Sequence, residues 1–189
     1  MSEQTGNTAD IADRKILLHI CCAPCSIYTV KTLRGEGAHV SGYFYNPNIH
    51  PYTEFTKRLT TLEQYAKIIL LPLDVDTSYE LDPFLAGAMA LGRDRCLFCY
   101  RMRLERAFQR AAESGFDALT TTLLYSRHQR HDDIKRTGEE LSAAHGIPFI
   151  YRDLRSGWQE GINESKGLNM YRQQYCGCIF SEKERYRGK

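Results

Sequence analysis

The stretch KILLHICCAPCSIYTVKTLRGEG, residues 15–37, decides how the rest of the chain is read. Residues 15–20 form a short apolar run suited to a buried strand. Ser26 can cap a helix reaching about Arg34, in which Ile27, Val30 and Leu33 share one face, and Gly35 and Gly37 end it. Strand, turn and helix in this order are the opening of an α/β unit. At the turn stand Cys21, Cys22 and Cys25, three thiols within five residues.

The same alternation continues outward. HVSGYFY at 39–45 reads as a strand, NPNIHP as a loop, and 52–66 as a helix with Phe55, Leu59, Leu62 and Ala66 on one side. IILLPL predicts a third strand. Helices follow over 77–91 and over 96–114, the second with Leu104, Ala107, Phe108 and Ala111 at helical spacing. FDALTTTLL predicts a fourth strand, 132–145 a helix closed by Gly146, and IPFIY at 147–151 a fifth strand. Strand and helix in turn imply a mostly parallel five-stranded sheet with helices on both faces and right-handed crossovers. Residues 1–14 read as a disordered tail and 15–189 as a single α/β domain. Beyond Tyr151 few apolar residues remain, so 151–189 reads as an irregular extension carrying two cysteines, not as a second core.

A chain of 189 residues suffices for one well-buried core and is short for two domains. Its longest apolar stretches, such as KIILLPL at 67–73, fall far below a membrane span. The first fifteen residues lack the basic cluster and apolar segment of a secretory signal, so a cytoplasmic protein without membrane contact is expected. Cytosolic thiols stay reduced, which turns seven cysteines toward metal or redox chemistry and away from disulfides. The net charge of +2 gives no argument for nucleic acid, but its distribution is uneven. Residues 93–110 carry six arginines against two acids, and both this stretch and the extension contain a cysteine pair.

All seven cysteines fall into three groups: Cys21, Cys22 and Cys25; Cys96 and Cys99; Cys176 and Cys178. The first group lies where an open α/β sheet presents its ligand, at the carboxyl end of a strand. Cys96 and Cys99 open a helix, whose free N–H groups and dipole favour thiolate, and Gly177 lets the backbone pass close to a bound group. One shared metal site is expected. Structural zinc is usually held by two CxxC-like pairs, whereas an iron–sulfur cube takes four thiolates from irregular spacings, leaving three of the seven for a second metal or for catalysis. That arithmetic favours a redox centre.

Six stretches carry a likeness to a known family: LLHICCAPCS, YFYNPNIHPYTEFTKR, CLFCYRMRL, TTTLLYS, YRDLRSGWQEGINES and MYRQQYCGCIFS. Together, and in this order, they resemble the cobalamin-independent epoxyqueuosine reductase family. The resemblance implies a Rossmann-like fold of the PP-loop (HUP) type, with CCAPC standing where the related pyrophosphatases carry a phosphate loop. It implies reduction of the epoxide of epoxyqueuosine, at wobble position 34 of a tRNA, to queuosine, using a 4Fe-4S cluster beside a second mononuclear iron. No dinucleotide fingerprint is present, so an external electron donor is expected.

On that basis Cys22, Cys96, Cys99 and Cys176 are assigned to the cluster, and Cys21, Cys25 and Cys178 to the second iron. Candidate proton donors are Asp153, Tyr171, Tyr175 and His19, the last equally readable as a core or site-lining histidine. Candidate contacts to an anticodon loop with its base unstacked are Arg152, Arg155, Trp158, Arg172 and Tyr175, with Tyr43, Tyr45 and Asn46 at a strand end and Ser126 and Gln129 after the fourth strand. Two other readings remain open: a zinc-stabilised RNA-binding module, and a thiol redox protein like the cysteine-rich domains of heterodisulfide reductases. The second has the wrong spacing, since Cys22 and Cys96 lie too far apart.

Overall fold

The computed structural model describes residues 10–188. In chain order its elements are β1 (Lys15–His19), α1 (Ala23–Gly35), β2 (His39–Phe44), α2 (Tyr52–Ile68), β3 (Leu73–Val75), α3 (Leu81–Leu91), α4 (Arg95–Glu113), β4 (Ala118–Thr121), α5 (His131–His145), α6 (Trp158–Gly167) and α7 (Ile179–Arg187). Side chains alternate across a strand, and β1 uses the alternation to build two cores. Ile16 and Leu18, with Ile20 just beyond, meet Ile27, Val30 and Leu33 of α1 and Phe55 and Leu62 of α2. Leu17 points the other way, into Leu104, Ala107 and Phe108 of α4 and Ile134 and Leu141 of α5. Each such side chain contributes about 1.5–3 kcal/mol when fully buried. Helices therefore cover both faces.

The sheet order is β3-β2-β1-β4, and every pairing is parallel. From β1 the chain moves to β2 on one side and later returns to β4 on the other. The carboxyl ends of β1 and β4 consequently flank the crevice where the winding reverses, the usual ligand position in such sheets. No helix among the described residues is long and apolar enough to cross a membrane.

Five expectations change. The sheet has four strands, because IPFIY makes one isolated bridge, Phe149 to Leu119. Pro148 offers a carbonyl to Leu119 N–H but has no N–H of its own to extend the ladder. The third strand is cut to three residues, because α2 runs on to Ile68 and turns back through Leu70 at φ +49°, with Leu71 N–H bonding to the Ala66 carbonyl. Ser26 does not cap α1: Cys22 takes that position, Pro24 stands in the first turn, and Ser26 donates to the Ala23 carbonyl at 2.8 Å. Of the expected N-terminal tail, residues 1–9 lie outside the described residues, but Ile11 is buried in the first core and Asp13 N–H bonds to the Gly37 carbonyl.

The extension, finally, is not irregular throughout. It contains α6, which packs on α1, and α7. Helix α6 meets its neighbours through small residues at helical spacing: Gly157 under the Tyr28 ring, Gly161 under the Tyr125 hydroxyl, and Ser165 fully buried. A search for large apolar residues passes over such a face.

Gly42 in β2 tests this packing. A Cβ there would stand 2.8 Å from Ile20 Cδ1 and 2.9 Å from Leu73 Cδ1. Gly42→Ala is expected to cost about 1–3 kcal/mol through overpacking, and thermal denaturation of the full chain should show a melting temperature lowered by several degrees. An unchanged melt would contradict the packing described.

Candidate metal centre

The first thiol group sits between β1 and α1. Cys21 N–H donates to Thr122 Oγ1 at 3.1 Å, which ties the end of β1 to the residue following β4. Cys21 and Cys22 Sγ are 3.7 Å apart, Cys22 and Cys25 Sγ 2.9 Å, and all three sulfurs lie within 4.8 Å of one another. Hydrogen bonds from Cys22 and Cys25 draw the Cys21 thiol well below its ordinary pKa. Cys22 is raised, chiefly by burial, and Cys25 is raised, first by its hydrogen-bonded contact with Cys21. The three sulfurs thus share hydrogen bonds near the N-terminus of α1, where negative charge is favoured.

The second group assembles from two distant segments. Cys96 and Cys99 lie in the first turns of α4, and Cys176 and Cys178 on the loop before α7. The charges of Cys176 and Cys178 reach both Cys96 and Cys99, so the four form one electrostatic neighbourhood. Burial raises Cys96, pushes Cys99 up to about 12 and raises Cys176. Four converging thiols would repel as thiolates. They need positive charge or a metal to hold them together.

Arg58 fastens the loop. Its side chain, 1% exposed, donates from Nη1 to the Cys176 carbonyl at 2.8 Å and from Nη2 to the Tyr175 carbonyl at 3.0 Å, while Nε bonds Glu54 Oε1 at 2.7 Å. Gly177, at φ +151°, passes between Arg58 and the 46–50 loop, where a Cβ would stand 3.0 Å from Asn48 Nδ2, and its carbonyl accepts from His50 N–H at 2.8 Å. Cys178 caps α7, accepting from Ser181 N–H at 3.4 Å.

A cleft of about 580 Å³ opens between the groups, lined by Cys21, Cys25 and Cys176. Five of the predicted residues are there: Ser126, Gln129, Trp158, Arg172 and Tyr175. Gln129 Nε2 lies 3.1 Å from Cys176 Sγ, so this residue faces a thiol as well as the cleft. Trp158 stacks on Tyr125 at 5.4 Å, with Arg127 5.8 Å from its ring centre. Tyr175 donates to the His50 carbonyl at 2.5 Å, and burial pushes its phenol up to about 12.

The other predicted residues have different surroundings. His19 is fully buried; its Nε2 faces the Tyr45 carbonyl at 3.1 Å, which can only accept, so Nδ1 accepts from Thr121 Oγ1 at 2.8 Å. Burial, and then Arg103, lower its pKa to about 3, and with both nitrogens engaged it is a neutral scaffold residue. Asp153 is exposed and clasped by Arg155, whose hydrogen bonds hold its carboxyl down at about 2; neither residue lines the cleft. An ionised carboxylate outside the site is no proton donor to it. Tyr171 donates to Glu54 behind the Arg58 clamp. Tyr43 and Tyr45 bond Asp76 and Glu80 away from the thiols, and Arg152 pairs with Glu36. Asn46 is buried and accepts from Arg103 Nη2 at 2.7 Å.

Sequence reasoning missed Arg58, Arg103 and Gln173, whose Nε2 lies 3.0 Å from Cys22 Sγ. A signal existed for the arginines. Arg58 falls on the Phe55–Leu62 stripe of α2 and Arg103 between Tyr100 and Ala107 on α4, each a charge at a core position.

Comparison with known proteins adds a family. Residues 16–184 match the profile of a family described as epoxyqueuosine reductase QueH. The epoxyqueuosine reductase QueH of Dehalococcoides mccartyi is 38% identical over 172 residues, covering 91% of this chain and 94% of that protein. Its counterpart from Thermotoga maritima is 33% identical over 179 residues, covering 90% and 91%. Among solved structures, a predicted subunit of tRNA methyltransferase from Methanocaldococcus jannaschii overlays with a TM-score of 0.57 at 14% identity, covering 81% of this chain and 74% of that one. The U34-tRNA thiolase NcsA from Methanococcus maripaludis, solved with its 4Fe-4S cluster, overlays with a TM-score of 0.60 at 13% identity, covering 93% and 64%. At such identities the overlays establish a shared fold.

The Arg58 clamp makes a direct prediction. Glu54→Gln leaves a buried guanidinium without its carboxylate, and removing one partner of such a pair costs about 3–5 kcal/mol. Urea unfolding of the metal-free chain should show a midpoint lowered accordingly, and a change within the error of the measurement would refute the clamp.

Proposed function

The chain belongs to the epoxyqueuosine reductase QueH family, and from that membership we infer that it is an oxidoreductase that removes the oxirane oxygen of epoxyqueuosine at wobble position 34 of a tRNA. The epoxide takes up two electrons and two protons; both C–O bonds break, a C=C bond forms, and the oxygen leaves as water. The observation that carries this reading is the convergence of thiols from three distant segments where the sheet reverses its winding: Cys21, Cys25 and Cys176 line one cleft, Cys22 lies against Cys21 and Cys25, and Cys96 and Cys99 are within electrostatic reach of Cys176 and Cys178.

The donor set fits iron and sulfide. It consists of thiols near two helix N-termini, beside a buried guanidinium, Arg103, whose Nε has no partner and whose Nη1 lies 3.8 Å from Cys99 Sγ. The grouping by distance and charge supports Cys96, Cys99, Cys176 and Cys178 as the set for a 4Fe-4S cluster, and Cys21, Cys22 and Cys25 as the set for a second iron. The division expected from sequence differs, setting Cys22 with Cys96, Cys99 and Cys176, and Cys178 with Cys21 and Cys25. When bound, the cluster supplies single electrons from an external donor and the second iron supplies Lewis acidity. Residues 151–189 are then the extension that completes the metal site of a single α/β domain, since Cys176 and Cys178 come from it.

The chain's own residues bind and orient the substrate. Trp158, backed by Tyr125, gives the cleft an aromatic wall, and Arg172 and Arg127 supply positive charge for the phosphates of an anticodon loop. Ser126 offers a hydroxyl to the unstacked nucleoside. Of the four proton-donor candidates Tyr175 is the one on the cleft wall, and its raised phenol stays protonated at neutral pH.

An anaerobic assay tests the activity. Iron-loaded protein with a chemical reductant should convert epoxyqueuosine-containing tRNA to a nucleoside lighter by one oxygen atom, read by mass spectrometry. No mass loss rejects the assignment, and zinc in place of iron and acid-labile sulfide would favour an RNA-binding module. The division of thiols has its own test. Serine at Cys96, Cys99, Cys176 or Cys178 should remove acid-labile sulfide, whereas serine at Cys21, Cys22 or Cys25 should keep the sulfide and lose about one iron. Sulfide lost equally from both sets would reverse the division.

A further inference from the structure

Two arginines are buried beside the thiols, and their surroundings differ. Arg58 has a carboxylate at 2.7 Å. Arg103, 2% exposed, has no carboxylate partner among the described residues. Its guanidinium donates to Asn46 Oδ1 at 2.7 Å and reaches Cys99 Sγ at 3.8 Å, and its Nε is buried without a partner. Asn46 cannot turn away to relieve this, because its Nδ2 donates to the Ile20 carbonyl at 2.9 Å, one residue before Cys21. Thiols of both groups, Cys99, Cys21 and Cys176, lie within electrostatic reach of Arg103.

A guanidinium cannot shed its proton inside a protein, so a buried one needs a counter-charge or carries a heavy desolvation cost. The metal-free fold gives the Arg103 nitrogens a neutral amide and one sulfur contact at 3.8 Å, and no carboxylate among the described residues. A thiolate-bound iron–sulfur centre is anionic and would lie within reach of the same nitrogens. We propose that Arg103 is the built-in counter-ion of the metal centre: its cation destabilises the metal-free protein, favours the loaded one, and raises the reduction potential of the centre by stabilising the electron it accepts. Asn46 is the residue that aims it. This inference rests on the reading that the thiols hold iron and sulfide.

The sign of the effect separates it from ordinary packing. Arg103→Met keeps most of the volume and removes the charge. Full-length variants, prepared anaerobically, should behave oppositely in the two states. Metal-free Arg103→Met should melt above metal-free wild type, while the loaded variant should surrender iron to a ferrous chelator about tenfold faster or more, as expected when a counter-charge is lost. Its midpoint potential, read by reductive titration with electron paramagnetic resonance, should fall below wild type, and Arg103→Lys should recover part of that fall. Asn46→Asp places a carboxylate against Arg103 and should lower the potential in the same direction, which keeps the test open if Arg103→Met does not fold. A variant that melts lower in both states with an unmoved potential would make Arg103 a packing residue and overturn the proposal. Wild-type protein that binds neither iron nor sulfide would overturn the metal reading itself, and the counter-ion with it.

Discussion

Repulsion among thiolates is the constraint around which this molecule is arranged. Seven sulfurs in two groups could not share one end of a sheet as anions without compensation, and the fold answers locally at each group. Cys21, Cys22 and Cys25 share hydrogen bonds near the start of α1, which lower the pKa of the Cys21 thiol. Cys96 and Cys99 occupy the first turns of α4, where unpaired N–H groups favour negative charge. Arg58 and Arg103 bring two fixed cations, one already paired with Glu54 and one not. Neutral His19 adds no further positive charge, because burial and Arg103 keep its proton off.

The sheet contributes position. In a parallel sheet whose winding reverses next to β1, chain ends that are remote in sequence emerge side by side. Cys21 and Thr122, joined by a 3.1 Å hydrogen bond, are about a hundred positions apart. The turn after β1 carries thiols with Cys22 as the helix cap and Pro24 behind it. The rigid strand-to-helix turn thus offers sulfur from a backbone that cannot easily move. The extension brings Cys176 to the cleft, anchored by two carbonyl bonds to Arg58 and by the close approach that only Gly177 permits.

Much of the fold was legible because its signals are local. The strand and helix of 15–37, the amphipathic run of α4 and the Gly146 stop of α5 come from periodicity and capping chemistry carried by neighbouring residues. Errors fell where tertiary contacts govern. Helix α6 was overlooked because Gly157, Gly161 and Ser165 carry no hydrophobic pattern, yet their small size lets the helix lie against Tyr28 and Tyr125. IPFIY looked like a strand by composition, but Pro148 and a single bridge leave it outside the sheet. Tyr43 and Tyr45 sit at the expected strand end, but their hydroxyls turn to Asp76 and Glu80.

By itself the sequence determined the chemistry: seven thiols in three groups, the α/β alternation that sets the first group at the end of a strand, and the motifs that identify the family. Those are properties of residue type and spacing, which chain order preserves. Only the tertiary structure decided which thiols are neighbours, which donors reach the cleft, and which charges have partners. Distances between segments a hundred residues apart depend on how helices pack on the sheet, and no local pattern encodes them. Arg58 and Arg103 show the difference most plainly. In sequence they are two more arginines on helices, and in the fold one holds the loop that carries Cys176 to the cleft while the other stands buried beside the thiols.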